Sequence, residues 1–232
     1  MALFANRREA GRILGSRLAG AISGDAIVLA LPRGGVPVGY EVANAIGVPL
    51  DVLVVRKLGV PGQEELAMGA IASGGVRVLV PDVIESFGIT PPVVEAVAAR
   101  ERRELERRER AYRDTRPLPD VRGRPVVVVD DGVATGASMI AAVRAVRALG
   151  AGRVVAAAPV MSAQARAAIL RVADACEAVA YPEPFLGVGV HYADFAQTTD
   201  DEVRERLAAA RHDASEADVR PAQPAGGDGW RR

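Results

Sequence analysis

The chain has 232 residues, half of them apolar, and its 29 Lys and Arg residues balance its 29 Asp and Glu residues. This length is enough for one ordinary core, and the balanced charge indicates neither a nucleic-acid-binding surface nor a disordered chain. The chain lacks a signal-peptide core and any apolar run near the roughly 20 residues of a membrane span, and its single cysteine, Cys176, cannot form an internal disulfide, so we expect a cytoplasmic protein. We expect Cys176 itself to be a buried structural thiol.

The first part of the chain predicts a helix and then a βαβ unit. Asn6 and Glu9 resemble a capping box, which would begin a helix that ends near Leu18. After it we expect a strand, a Pro-Arg-Gly-Gly turn, a helix and a second strand, at 26–31, 32–35, 36–46 and 50–55. By the usual crossover rule, these pieces form a right-handed βαβ unit.

The middle of the chain predicts a loop, a hairpin and a charged helical insertion. A stretch rich in Gly, Pro and charge indicates a loop at 56–65, and two short strands at 66–72 and 76–80 indicate a hairpin. The insertion, 82–113, contains a short helix and a long one. The long helix has Glu–Arg pairs in the favourable i,i+4 order at Glu104–Arg108, Glu106–Arg110 and Glu109–Arg113. Its apolar stripe is narrow, so we expect a solvated edge helix, with a dimer contact or a lid as alternatives.

The remaining elements alternate between strands and helices. Strands are predicted at 126–129, 153–158 and 177–181, with helices at 137–149 and 163–172. This alternation is typical of an α/β fold with a mostly parallel, doubly wound sheet. Thr199 and Glu202 would cap a last helix that ends near Arg211. We expect a single domain over 1–212 and a disordered tail over 213–232.

The most informative segment reads VVVVDDGVATGAS, at 126–138. Its valines predict a buried strand, followed by Asp130 and Asp131 (the acidic pair), a small-residue loop and a helix. Ligands of open α/β folds bind at this carboxyl edge of the sheet, and a helix N-terminus suits a phosphate. The two carboxylates would repel that phosphate, so they need another task, such as holding sugar hydroxyls or supporting a Mg²⁺ shell. The alternative is a generic strand–turn–helix with a capping Asp.

This segment resembles the phosphoribosyl-pyrophosphate (PRPP) motif of the type I phosphoribosyltransferases. The resemblance implies a phosphoribosyltransferase-like, Rossmann-like fold in which the acidic pair binds the ribose 2′- and 3′-hydroxyls. It also implies that the 5′-phosphate is held by the loop residues Gly132, Val133, Ala134, Thr135, Gly136, Ala137 and Ser138. Gly132 replaces the usual branched residue, which predicts a less preorganised loop. Ala134 replaces the acidic residue of the 6-oxopurine enzymes, which argues against a hypoxanthine or guanine acceptor.

Two further segments are similar to parts of the same site. Arg33, Gly34 and Gly35 match the family's pyrophosphate loop, which often holds a strained or cis peptide; a tight turn with an exposed arginine is the alternative. Arg56 and Lys57 are similar to the strand-end Arg-Lys of the adenine-type enzymes, and Lys57 is the only lysine of the chain. The resemblance implies that all five bind pyrophosphate, and that Lys57 is catalytic together with the acidic pair.

The segment 182–199 is placed like the base-binding hood of the 6-oxopurine enzymes. Phe185 is the best candidate to stack on a base, followed by Tyr192 and Phe195, unless these rings only pack the last helix. His191 has no cluster of metal ligands around it, so we interpret it as structural or surface-exposed. The implied ligands are PRPP, a small-molecule base and Mg²⁺ bound mainly through PRPP, with no metal site of the protein's own. We expect no nucleic-acid or membrane partner, and a homodimer is one expected assembly.

Three functions are compatible with these residues. The first is transfer of a 5-phosphoribosyl group from PRPP to a nitrogenous base, with release of pyrophosphate and no covalent intermediate. The second is a non-catalytic sensor of PRPP or a nucleotide that has the same fold and acts through a partner. The third, a phosphate-ester hydrolase that uses the acidic pair with Mg²⁺, leaves Arg33 and Lys57 without a specific task. The sequence does not identify the acceptor base.

Overall fold

The computed structural model describes the backbone of residues 2–22, 24–113 and 116–219, and their side chains as far as Arg211. The strands are β1 (Ile27–Ala30), β2 (Leu50–Val52), β3 (Val55–Val60), β4 (Gln63–Ala72), β5 (Val76–Leu79), β6 (Val126–Val129), β7 (Val154–Val160) and β8 (Ala175–Ala180). The α-helices are α1 (Arg7–Leu18), α2 (Gly35–Ile46), α3 (Pro81–Ser86), α4 (Pro91–Arg113), α5 (Ala137–Ala148), α6 (Ala163–Ile169) and α7 (Asp200–Val219).

The main sheet has five parallel strands in the order β2–β1–β6–β7–β8. The residues of β1, β6 and β7 are all buried, because α1 and α2 cover one face of the sheet while α5 and α6 cover the other. Burial on both faces explains why these strands are continuously apolar rather than alternating. The fold is therefore α/β with a mostly parallel, doubly wound sheet, and this prediction is confirmed.

A second sheet consists of three antiparallel strands in the order β3–β4–β5. The predicted hairpin is present as β4 and β5, with Gly69 opposite Leu79. The predicted loop at 56–65 is wrong, because most of it pairs as the hairpin of β3 and β4 around a turn with Gly62 at φ 80°. The predicted strand at 50–55 is accordingly divided between the two sheets. The chain leaves the main sheet at Val55, which is earlier than the start of the expected insertion at 82–113.

The long charged helix, α4, lies along β3, β4 and α7. Its narrow apolar stripe is buried there, as the sequence predicts for an edge helix. Two of the three predicted Glu–Arg pairs are formed: Arg108 lies 2.8 Å from Glu104, and Arg113 lies 3.4 Å from Glu109. Arg113 is buried and also donates a hydrogen bond to Asp51 at 2.9 Å, which ties the end of α4 to β2.

The predicted hood and the N-terminus pair with each other. Within the described residues 182–199 the only helical turn is a 3₁₀ turn at Gly189–His191. The N–H groups of Leu3 and Phe4 donate to the His191 carbonyl, and the Asp194 N–H donates to the Ala5 carbonyl. These bonds join the first residues of the chain to residues 191–194 of the predicted hood.

The last helix is longer than expected. α7 continues to Val219 instead of ending near Arg211, so residues 213–219 of the predicted tail have helical backbone. The rest of that predicted tail, 220–232, lies outside the described residues. Among the residues that the structure describes, no helix combines the length and the apolar composition that crossing a membrane requires.

Candidate functional site

The acidic pair lies at the carboxyl end of β6, the central strand of the main sheet. The loop that follows is anchored to the end of β7, because the Val133 N–H donates to the Val160 carbonyl at 2.9 Å and the Ser162 hydroxyl donates to the Ala134 carbonyl at 2.6 Å. Val133 is predicted as a phosphate ligand, but its N–H is engaged and its side chain is buried. Its observed part in the site is to anchor the loop.

A cavity of 150 Å³ lies at this loop. It is lined by Asp130, by Val188 and by the loop and first turn of α5, residues 132–139. Thr135 and Ser138 are exposed there, and Gly136 directs the chain into α5 with φ 83°. N–H groups in the first turn of a helix have no partner within the helix and lie at the positive end of its dipole. Such N–H groups suit an anion, and binding of the 5′-phosphate at this loop stays a prediction.

The turn at 33–35 (the 33–35 loop) touches the acidic pair. A Cβ atom added to Gly34 would lie 2.0 Å from Asp131 Oδ2, and one added to Gly35 would lie 2.8 Å from the Val129 carbonyl oxygen. Both positions are closer than a side chain tolerates, so the close approach of the two loops depends on glycine. The peptide bond that precedes Arg33 is cis. Two predicted parts of the site thus meet at one edge of the sheet.

The two carboxyl groups of the acidic pair have different surroundings. Asp131 Oδ2 accepts a hydrogen bond from Arg7 Nε at 2.7 Å, in an ion pair whose side chains are only 14% and 11% exposed. Asp130 Oδ1 accepts the N–H of Asp131 at 2.9 Å. Burial, and then the negative charge of Asp131, raise the pKa of Asp130 well above its ordinary value. The pair therefore combines an ion-paired carboxylate with a carboxyl group that readily takes up a proton.

Sequence reasoning missed Arg7. It is the first residue of α1 and lies 124 positions from Asp131, so the predicted capping box indicates only where a helix begins. Its guanidinium also donates to the Ala196 carbonyl at 2.7 Å and lies 3.9 Å from the centre of the Phe195 ring. No sequence signal separates Arg7 from its neighbour Arg8, which pairs with Glu41 instead.

The three predicted pyrophosphate cations are paired with carboxylates of the protein. The pairs are Arg33–Asp200 at 3.8 Å, Arg56–Glu101 at 2.6 Å and Lys57–Glu65 at 3.1 Å. Arg56 and Lys57 are neighbours on β3, so their side chains leave opposite faces of the strand. Arg56 joins β3 to the nearly buried Glu101 of α4, so its observed role is structural. The geometry does not support its predicted role as a pyrophosphate ligand.

The aromatic residues of 182–199 divide into two groups. Phe195 lies under Arg7 and stacks on Tyr192, with ring centres 5.0 Å apart, and the buried Tyr192 hydroxyl donates to the Asp131 carbonyl. These two rings support the acidic pair and are poorly placed to receive a base. Phe185 is half-buried beside the His191 ring, at 5.6 Å, and remains the candidate for the base. His191 is buried, and its Nε2 has no hydrogen-bond partner among the described residues.

Gly132 faces Val188 from the segment 182–199. A Cβ atom at position 132 would lie 2.3 Å and 2.8 Å from the two methyl groups of Val188. Val188 thus occupies the space of the branched residue that is usual at position 132, and it also lines the cavity. The departure at Gly132 is therefore compensated by a side chain from another part of the chain.

Cys176 takes no part in this arrangement. It lies on β8 in the core between the main sheet and helices α5 and α6, where it is 3% exposed. Burial raises the pKa of its thiol to about 11. A structural thiol, as predicted, fits these surroundings, because an activated nucleophile needs a lowered pKa.

The raised pKa of Asp130 predicts an unusual pH dependence of stability. The folded state holds the Asp130 proton at pH values where the unfolded chain has lost it, so stability falls as pH rises from the ordinary value of 3.8 through the raised pKa. Asp130→Asn removes this effect. We expect urea unfolding to show a variant that is more stable than the wild type at pH 8, where the unfolded chain has lost this proton.

The gain should shrink as the pH falls below 3.8, because Asp130 then becomes protonated in the unfolded chain as well as in the folded one. The matched control is Asp120→Asn, because Asp120 is exposed and Arg122 holds its pKa at about 2. That variant should show no gain at pH 8. A gain from Asp130→Asn that is the same at every pH would contradict the assignment.

Comparisons with known proteins agree with this geometry. The family profile described as "Phosphoribosyl transferase domain" matches residues 6–180. In Mycobacterium tuberculosis, "Putative phosphoribosyl transferase Rv0571c" (strain H37Rv) and "Putative phosphoribosyl transferase MT0597" (strain CDC 1551) are each 48% identical over 218 residues, covering 94% of this chain and 49% of the relative. The chain thus spans about half the length of these curated relatives.

A solved structure extends the agreement to three dimensions. The crystal structure of TT1426 from Thermus thermophilus has a TM-score of 0.83 and 44% identity, and the match covers 89% of this chain and 98% of that one. The profile match includes Arg7, the 33–35 loop, the acidic pair and every strand of the main sheet. The chain therefore belongs to the phosphoribosyl transferase domain family.

Proposed function

We propose that this chain transfers a 5-phosphoribosyl group from PRPP to a nitrogenous base and releases pyrophosphate. The observation that carries the proposal is the contact between the 33–35 loop and the acidic pair, where Gly34 lies against Asp131 and Gly35 against Asp130. In PRPP the ribose and the pyrophosphate are joined at C1, so a ribose site and a pyrophosphate site have to adjoin. Family membership supports a transferase of this class.

The reaction asks mainly for positioning and charge stabilisation. As the bond between C1 and pyrophosphate breaks, the ribose becomes electron-poor and the leaving group gains negative charge. The acidic pair would serve the ribose, while Arg33 and Lys57 would serve the pyrophosphate. The Arg33–Asp200 contact is long, at 3.8 Å, and the Lys57 side chain is 33% exposed, so both cations are placed to exchange a carboxylate for a phosphate.

Mg²⁺ enters the proposal together with PRPP. One oxygen of Asp131 is bonded to Arg7 and one oxygen of Asp130 to a backbone N–H. No group of three or more His, Cys, Asp or Glu side chains within the described ranges is placed to hold a metal ion. This donor set fits an ion whose coordination PRPP and water complete. Once bound, Mg²⁺ would neutralise part of the charge on the departing pyrophosphate.

Two measurements test the proposal in sequence. Calorimetry should show that the protein binds PRPP in the presence of Mg²⁺, and the absence of binding would remove the proposal. A panel of purine and pyrimidine bases, followed by an assay for released pyrophosphate, should then identify an acceptor. Because Ala134 stands where the 6-oxopurine enzymes carry an acidic residue, we expect hypoxanthine and guanine to be poor acceptors.

Asp131→Asn should weaken PRPP binding about tenfold, because a neutral amide accepts a weaker hydrogen bond from a ribose hydroxyl than a carboxylate does. Calorimetry measures the change. The control is Asp201→Asn, since Asp201 is 79% exposed and pairs only with Arg204 of its own helix among the described ion pairs. Unchanged affinity in Asp131→Asn would contradict the ribose assignment.

One observation favours a second candidate, a PRPP or nucleotide sensor. Arg33, Arg56 and Lys57 are all engaged by carboxylates, so the site has few free positive charges to stabilise a leaving group. A protein that binds PRPP but releases no pyrophosphate with any base would be this sensor rather than the transferase. The same calorimetry and base panel therefore separate the two candidates.

A further inference from the structure

We propose that Arg7 is a positioning residue of the ribose site, which holds Asp131 so that its second carboxylate oxygen accepts a ribose hydroxyl. This inference rests on the proposed function, because it assigns the ribose to the acidic pair. It adds a side chain from the N-terminal helix to a site that the sequence motif places entirely after β6.

The ion pair is built into the contact between the two loops. Arg7 Nε lies 2.7 Å from Asp131 Oδ2, and a Cβ atom added to Gly34 would lie 2.0 Å from that oxygen and 3.2 Å from Arg7 Nε. The three residues therefore meet at one point. With Gly34 on one side and Arg7 bonded to Oδ2, the Asp131 carboxylate is held in one orientation.

Arg7 is in turn fixed by its own surroundings. Its guanidinium lies over the Phe195 ring at 3.9 Å and donates to the Ala196 carbonyl at 2.7 Å. The start of α1 is held by the bond between the Ala5 carbonyl and the Asp194 N–H at 2.9 Å. A side chain that is locked by packing and hydrogen bonds positions a neighbouring group more accurately than a free one does.

The charge of Arg7 is also needed. Asp130 and Asp131 are adjacent carboxyl groups in a part-buried place, and like charges so close oppose each other's ionisation. Without Arg7, Asp131 would stand beside Asp130 with its charge unpaired, and a nearly buried carboxylate without a cation is costly. Arg7 therefore supplies a cation for Asp131 and holds its carboxylate in place, which a hydroxyl-binding carboxylate requires.

A double-mutant cycle tests whether Arg7 acts through Asp131. The probe is ribose 5-phosphate, measured by calorimetry with the wild type, Arg7→Met, Asp131→Asn and the double variant. We expect each single substitution to weaken binding about tenfold, and the double variant to bind no more weakly than Asp131→Asn alone. Arg7→Lys, which keeps the charge but not the planar group, should bind with intermediate affinity.

The neighbouring arginine supplies a matched control. Arg8 lies on the same helix, pairs with Glu41 and is 58% exposed, so Arg8→Met should leave ribose 5-phosphate binding unchanged. Thermal unfolding of every variant shows which ones are folded, and Arg7→Lys carries the test if Arg7→Met does not fold.

The outcomes separate the inference from the proposed function. If the wild type binds ribose 5-phosphate but Arg7→Met binds it equally well or more tightly, Arg7 does not position Asp131 and the inference fails alone. It also fails alone if the two losses multiply in the double variant, because Arg7 then acts independently of Asp131. If the wild type binds neither ribose 5-phosphate nor PRPP, the proposed function fails and the inference fails with it.

Discussion

Gly34→Ala is expected to weaken PRPP binding about 100-fold, because the new methyl group displaces the carboxylate that we propose as the charged hydrogen-bond acceptor for the ribose. The added Cβ would lie 2.0 Å from Asp131 Oδ2 and 2.6 Å from its Cγ. Asp131 has little room to yield, since Arg7 holds the same oxygen at 2.7 Å. Gly34 itself has φ −59°, which alanine adopts without strain, so the effect is steric. Calorimetry with PRPP and Mg²⁺ measures it.

The control for Gly34→Ala is the substitution of a different glycine, which should lower the stability of the protein without touching the site. Gly47 follows α2 with φ 69° and has open space around its Cα, so Gly47→Ala should destabilise the protein by about 1 kcal/mol through left-handed strain. PRPP binding should be unchanged in that variant. If Gly34→Ala binds PRPP as the wild type does, the 33–35 loop and the acidic pair do not form one site.

The parts of the candidate site whose local structure the sequence predicts correctly are contiguous in the chain. The valines of β6, the acidic pair and the turn into α5 lie within one stretch, 126–138, and each needs only its neighbours to adopt its structure. A run of valines forms a strand that is buried on both faces, and Gly136 ends the loop at the left-handed φ that the turn into α5 needs. Local pattern is therefore enough to place the carboxylates at the edge of the sheet.

The hairpin of β3 and β4 shows where local pattern misleads. Its Gly, Pro and charged residues indicate a loop, yet Arg56 pairs with Ile71 and Lys57 with Ala70 across the sheet. A strand of mixed composition is stabilised by its cross-strand partners rather than by its own preference. Ile71 and Ala70 lie in β4 beyond residue 65, so the composition of 56–65 alone does not predict this pairing.

The remaining site contacts join residues that are distant in the chain. Arg7 reaches Asp131 only because the N-terminal segment pairs with residues 191–194, and Val188 reaches Gly132 only because the segment 182–199 folds back over the loop. Neither partner has a distinctive sequence pattern. The sequence does contain one signal of the second contact. The glycine at position 132, where a branched residue is usual, indicates that another side chain fills the space.

Gly132→Val is expected to destabilise the protein by about 3 kcal/mol, because it forces a branched side chain into space that Val188 already fills. The new Cβ alone would lie 2.3 Å from a Val188 methyl group and 3.0 Å from Val160 Cγ2. Val188→Ala alone should cost about 1 kcal/mol for the lost packing of a half-buried side chain. Urea unfolding measures both losses.

The double variant, Gly132→Val with Val188→Ala, distinguishes a direct collision from a general loss of packing. If the two side chains compete for one space, the combined loss should be smaller than the sum of the single losses by at least about 1 kcal/mol. Val190 offers a matched control, because it lies two residues further along the same segment and is 55% exposed. Val190→Ala should give no such relief to Gly132→Val, and additive losses with Val188→Ala would show that Val188 does not take the place of a side chain at position 132.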